Sequence, residues 1–267
     1  MVCRVYTVPL LLKFVLQADN MRYFIELAYQ GAAYSGWQRQ PNAPSVQQIL
    51  EEALSVLLKS ETAIIGAGRT DAGVHARQMF AHCDIEAPFD PQQLKDRLNS
   101  YLPADLVIHR IFSVPPEAHA RFDATARTYE YWLTLGKDPF LSAGAYAIHR
   151  TPDFELMNRV AQKLLSHQDF QCFSKSKTDV MTYNCVVSHA QWTPREDNWV
   201  FTITADRFLR NMVRAVVGTL LEVGWGKMTV SEFDQVLQSK NRSAAGPSVP
   251  GHALYLTKID YPEAIGS

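Results

Sequence analysis

Gly66-Ala67-Gly68-Arg69-Thr70-Asp71-Ala72-Gly73-Val74-His75-Ala76 lies between two apolar runs. Thr62-Ala63-Ile64-Ile65 precedes it and reads as a short strand; Gln78-Met79-Phe80-Ala81-His82-Cys83-Asp84 follows and reads as another. The glycines let the backbone turn where a side chain would clash. Such a turn presents an Arg, a Thr, an Asp and a His at one edge of a sheet. By composition alone, Asp71 is a turn residue bonded to its own backbone. A lone carboxylate with cations nearby can also act as a nucleophile or base.

Outward from this loop, Met21 to Tyr29 alternates apolar and polar residues, as a half-buried strand does. Trp37 follows in a loop and reads as a core anchor. Ser45-Val46-Gln47-Gln48 is a capping box, after which Ile49, Leu50, Ala53, Leu54 and Leu57 mark one helix face. Asp90-Pro91-Gln92-Gln93 opens a second helix with a capping Asp and Pro at the first position. Leu106 to Val114 returns as a strand. The order β-α-β-β-α-β predicts an α+β fold, a split βαβ arrangement on a mostly antiparallel sheet.

Val114-Pro115-Pro116-Glu117 is the expected boundary between an N-terminal half, residues 21–115, and a C-terminal half, residues 116–267. In the second half, strands are expected at Thr128 to Leu135, Val186 to Trp192, Trp199 to Ala205 and Leu254 to Tyr261. Helices are expected after Thr151-Pro152-Asp153, from Phe208 to Val223, and after the capping box Thr229-Val230-Ser231-Glu232. Asn241 to His252, rich in Gly, Pro and Ser, reads as a loop. The second half thus echoes the first in element order.

On the helix expected from Phe208, Arg207, Asn211, Arg214 and Gly218 fall on one stripe. A solvated face accounts for Arg207 and Arg210. Arg214 sits among valines, where a partly buried Arg needs a carboxylate. Tyr129 and Tyr131, two apart on a strand, share a face; Glu130 points the other way. His75 is read as a structural hydrogen-bonding residue within the loop, and Arg69 as a surface phosphate contact. Arg39, Arg77, Arg121, Arg127, Arg150, Lys175, Lys177, Arg207 and Arg210, interleaved with aromatics, permit an RNA-binding cleft.

The 267 residues carry 26 basic and 27 acidic side chains, which argues against a nonspecific nucleic-acid coat but leaves room for a local basic cleft. Cys3, Cys83, Cys172 and Cys185 form no CxxC pair and have no metal-ligand spacing with the histidines, so they read as reduced thiols of a cytoplasmic protein. Residues 1–20 contain a short apolar run interrupted by Lys13, without a cleavage site and too short to span a bilayer. They read as an N-terminal extension, with Met21 as the natural start.

Arg69-Thr70-Asp71-Ala72-Gly73-Val74-His75-Ala76 resembles the signature loop of the tRNA pseudouridine synthase A family. Gly36-Trp37-Gln38-Arg39-Gln40, His119-Ala120-Arg121-Phe122, Arg127-Thr128-Tyr129-Glu130-Tyr131 and Phe208-Leu209-Arg210-Asn211-Met212-Val213-Arg214 resemble further blocks of that family in the same order. The resemblance implies two ferredoxin-like halves around a central cleft, and isomerisation of uridines 38, 39 and 40 in the tRNA anticodon stem-loop. It implies Asp71 as nucleophile, ionised by Arg214 across the cleft, Tyr129 against the target base, and Arg69 helping to displace the target nucleotide. It further implies a homodimer that binds tRNA and no membrane, and needs no cofactor or metal. Two other classes stay open: an RNA-binding module without chemistry, and a nucleoside hydrolase with Glu130 as second carboxylate.

Overall fold

The computed structural model describes residues 20–86, 89–175 and 180–265. The expected extension, apart from Asn20, lies outside them, as do Cys3 and Lys177. Nine strands occur among the described residues: β1 Asn20–Tyr29, β2 Ile65–Gly66, β3 His75–Glu86, β4 Leu106–Ser113, β5 Ala126–Leu135, β6 Tyr146–Ile148, β7 Val187–Arg195, β8 Asn198–Ala205 and β9 Leu254–Asp260. The helices are α1 Val46–Leu58, α2 Pro91–Tyr101, α3 Phe154–Ala161, α4 Met212–Gly224 and α5 Val230–Ser239.

The helix starts follow local chemistry. Ser45 Oγ accepts the Gln48 N–H at 3.3 Å, Asp90 accepts the N–H groups of Gln92 and Gln93, and Asp153 accepts that of Leu156. Thr229 and Glu232 form the reciprocal capping box at α5. α4 departs from expectation. It begins at Met212, because Asn211 adopts the left-handed conformation at φ 66° and stops the helix from extending back to Phe208. The stripe from Arg207 to Gly218 therefore does not lie on one helix. The strand expected at Thr62–Ile65 shrinks to the two residues of β2, and β6 is an additional short strand.

The fold is α+β on a mostly antiparallel sheet. Within residues 20–113 the strands lie in the order β4-β1-β3-β2; within residues 126–260 the order is β9-β5-β8-β7. Setting β6 aside, each run places its fourth strand beside its first. The two runs join in one continuous sheet through a short parallel pairing of β3 with β9, His75 opposite Tyr255 and Ala76 opposite Leu256.

Buried side chains form two clusters. One gathers Val46, Leu50 and Leu54 of α1 and Leu94 and Leu98 of α2 with Ile25, Leu27 and Met79 of the sheet. The other gathers Met157 and Val160 of α3, Val216 and Leu220 of α4 and Phe233 of α5 with Tyr131, Trp192 and Phe201. The clusters trade residues at the seam: Leu256 of β9 belongs to the first, and Val74 of the signature loop to the second. Tyr129 packs against both.

His82 is buried beside Phe24, and its Nδ1 accepts the Ala120 N–H at 3.1 Å. Burial, with the neighbouring His119 adding to it, lowers its pKa from 6.5 to about 4. The unfolded chain therefore takes up a proton that the folded chain refuses. The stability this gives is present above pH 6.5 and is lost as pH falls toward 4. His82→Asn retains an acceptor but not the titration. Urea midpoints measured against pH are expected to fall less steeply between pH 6.5 and 4 in His82→Asn than in the wild type.

Candidate active site

The signature loop occupies residues 67–74, between β2 and β3. Its backbone is held from outside. Ala67 N–H donates to Phe80 O at 2.7 Å, Trp37 N–H to Thr70 O at 3.2 Å, and Gly73 N–H to Tyr34 O at 3.3 Å. Trp37 is buried as expected, its ring against Gly66. The buried Thr70 hydroxyl lies 2.8 Å from that of Tyr29. Asp71 O accepts the Val74 N–H at 3.2 Å, closing a turn whose third residue, Gly73, has φ +76°. That position favours glycine. The Asp71 side chain does not cap its own turn: the bond it makes goes to Arg214.

Arg214 is the third residue of α4, in its first turn rather than mid-helix. A cation there opposes the helix dipole, so helix stability does not explain it. Its Nη1 donates to Asp71 Oδ2 at 3.1 Å, and its Nε to Val249 O at 2.8 Å. The two side chains are 23% and 25% exposed, enough to reach solvent yet partly desolvated.

The strap at residues 246–252 holds that geometry. Val249 N–H donates to Arg214 O, Tyr131 donates its hydroxyl to Pro250 O at 3.1 Å, and Asn211 Nδ2 donates to Ser248 Oγ at 2.7 Å. Gly246 N–H reaches Thr219 Oγ1 at 2.9 Å. A Cβ on Gly218 would collide with the Pro247 carbonyl, so helix and strap approach only because that residue is glycine. His75 joins strap and loop: its Nδ1 accepts the Gly31 N–H at 3.0 Å and its Nε2 donates to His252 O at 2.8 Å. The structural role expected of His75 thus reaches beyond its own loop. Burial lowers its pKa, which keeps the neutral form these two bonds require.

Tyr129 lies on β5 with its ring edge-on to Phe208, centroids 5.1 Å apart. Its hydroxyl makes no hydrogen bond among the described residues. Burial raises its pKa strongly, and the negative charge of Asp71 adds to the shift. Arg69 is exposed, and its side chain makes no hydrogen bond or ion pair among the described residues.

Four further residues are held by specific partners. Arg127, one of the cations that permit an RNA-binding cleft, turns its guanidinium to the main chain, donating to the carbonyls of Ala124, Asp206, Ala67 and Arg121 at 2.6 to 3.1 Å. It thereby ties the foot of the signature loop to the segment entering α4. Arg39 pairs with Glu51 at 3.1 Å, and Arg77 lies over the rings of Trp132 and Tyr255. Glu130 is buried on the other face of β5 from Tyr129, held by Arg195 at 2.9 Å and Trp132 Nε1 at 3.1 Å. Sequence reasoning missed the Tyr29–Thr70 bond and the strap; the Gly, Pro and Ser content of the strap signals a loop but not what its carbonyls accept.

Comparison with known proteins bears on this geometry. The profile of the tRNA pseudouridine synthase family matches residues 27–123 and 160–262. A tRNA pseudouridine synthase A of Parabacteroides distasonis is 54% identical over 245 residues, covering 91% of this chain and 97% of the relative. That of Porphyromonas gingivalis is 53% identical over 245 residues, 90% of this chain and 97% of the relative. That of Shouchella clausii is 36% identical over 243 residues, 90% of this chain and 93% of the relative.

Gly218→Ala tests the helix–strap contact. Overpacking of this kind costs about 1–3 kcal/mol, and urea unfolding of the variant is expected to show a loss of that order.

Proposed function

The chain belongs to the tRNA pseudouridine synthase family, and on that premise we propose that it isomerises uridines 38, 39 and 40 of the tRNA anticodon stem-loop, with Asp71 as nucleophile. The observation that carries this reading is the Asp71–Arg214 pair, 3.1 Å apart, which joins residues 143 positions apart in the sequence. The reaction breaks the N1–C1′ bond of uridine and forms a C5–C1′ bond; N1 gains a proton and C5 loses one. Atoms and electrons balance within the nucleotide.

Arg214, fixed by Val249, holds the Asp71 carboxylate in place through a charge-assisted hydrogen bond. Tyr129, whose hydroxyl makes no hydrogen bond among the described residues, lies against the uracil and holds or relays a proton at C5. Arg69, exposed at the loop's rim, helps extrude the target nucleotide, which costs a few kcal/mol of stacking and pairing. A glycosidase needs a second carboxylate near the first; Glu130, on the far face and paired with Arg195, supports the isomerase over the hydrolase. The strand orders β4-β1-β3-β2 and β9-β5-β8-β7 support reading residues 21–115 and 116–267 as two ferredoxin-like halves around the cleft. The enzyme is a cytoplasmic homodimer in this reading. No helix among the described residues is long and apolar enough to cross a membrane.

Tritium release from tRNA labelled at uridine C5, with nucleoside analysis, tests the reaction. Wild type is expected to release tritium and yield pseudouridine; Asp71→Asn is expected to bind tRNA and do neither. Tight binding without release from either protein points to a binding module, and free uracil without pseudouridine to a hydrolase.

Tyr129→Phe keeps the ring and removes the hydroxyl. It is expected to lower kcat by about 10²-fold or more. Because burial and Asp71 hold the phenol protonated, wild-type kcat is expected to show no loss from tyrosine ionisation near its ordinary pKa of about 10. An alkaline loss centred there, present in wild type and absent in Tyr129→Phe, contradicts this assignment.

A further inference from the structure

Phe122 is 74% exposed, yet its surroundings are fixed. His119 Nδ1 accepts the N–H groups of both Arg121 and Phe122, at 3.1 and 3.3 Å. Asp123 closes the same turn, its carboxylate accepting the His119 N–H at 2.7 Å and its own N–H reaching His119 O at 3.1 Å. Ring contacts run outward from the core: Phe24 to His82 at 6.1 Å, His82 to His119 at 4.6 Å, His119 to Phe122 at 4.3 Å. The outermost ring of this column stands in solvent.

Arg127 ties this turn to the signature loop. Its Nη2 donates to Arg121 O at 2.6 Å and to Ala67 O at 3.1 Å. The exposed aromatic is therefore set beside the foot of the loop that carries Asp71. Arg69 on that loop and Arg121 on this turn are exposed residues and form no ion pair among the described residues; the Arg121 guanidinium lies 5.6 Å from the Phe122 ring. A rigid, exposed aromatic ring with an unpaired guanidinium beside it fits a base with its phosphate better than it fits an apolar protein surface.

We propose that Phe122 is a stacking platform for a nucleobase of the bound tRNA, one next to the site that receives the target uridine. Arg121 and Arg69 neutralise the adjoining phosphates. The proposal rests on the reading of the chain as a tRNA-modifying enzyme. Phe122 is a binding residue in this scheme: it fixes where the strand lies and takes no part in the chemistry. Stacking tolerates every base, so the platform serves substrates that differ in sequence around the target.

The test is the kcat and KM of Phe122→Ala, Phe122→Leu and Phe122→Trp on an unmodified tRNA transcript, with direct binding of that transcript and sedimentation of each variant. Loss of one base stack predicts a KM and a dissociation constant raised about tenfold in Phe122→Ala. Phe122→Leu, apolar without an aromatic face, is expected to behave like Phe122→Ala, and Phe122→Trp to restore binding. Thermal midpoints are expected to match wild type, since the ring is mostly in solvent. Unchanged KM and binding in Phe122→Ala overturn the proposal. So does rescue by Leu, or a shift from dimer to monomer that accounts for the KM change. If wild type binds tRNA without isomerising uridine, the functional reading fails, while weaker binding by Phe122→Ala still supports the platform. If wild type binds no tRNA, both fail.

Discussion

A carboxylate at position 71 and a guanidinium at position 214 meet where two residue pairs of parallel sheet hold the two runs of strands in register. His75 opposite Tyr255 and Ala76 opposite Leu256 make a short seam. Two pairs are too few to fix an angle between two half-sheets. The structure adds His75, hydrogen-bonded to Gly31 and His252, and Arg127, which gathers carbonyls from both halves. Without them, the 3.1 Å contact between Asp71 and Arg214 would depend on the short β3–β9 pairing alone.

Much of the fold was legible in the sequence because its signals are local. Ser45, Asp90, Asp153 and Thr229 cap helices through bonds to residues two or three positions on, and a single sequence displays such pairs directly. The start of α4 was not legible in the same way. Phe208 and Leu209 continue the apolar periodicity, but Asn211 takes a left-handed conformation while its side chain bonds Ser248, 37 residues away. Propensity yields there to a tertiary partner that no window contains.

The site divides along the same line. Asp71, Arg69, Tyr129 and Arg214 stand out as residues, the last because an arginine among valines needs explaining. What holds Arg214 and the foot of the loop is peptide groups of the strap and the side chain of Arg127, whose hydrogen-bond partners are all carbonyls. Main-chain acceptors carry no sequence signature. For this reason Arg127 looked like one more surface cation, and the strap like an ordinary loop. Glu130 is the opposite case: period-two alternation alone sets it on the far side of the strand from Tyr129, and its pairing with Arg195 agrees.

The strap also determines what can vary. Val249 and Pro250 hold Arg214 and Tyr131 through carbonyl oxygens, which every amino acid possesses. The aim of the guanidinium is thus encoded in the path of the backbone, and the side chains along that path are free of that particular duty. An insertion or deletion of one residue there would move both carbonyls, which a replacement at Val249 need not do, whereas Gly246 and Gly251 admit no side chain without a clash.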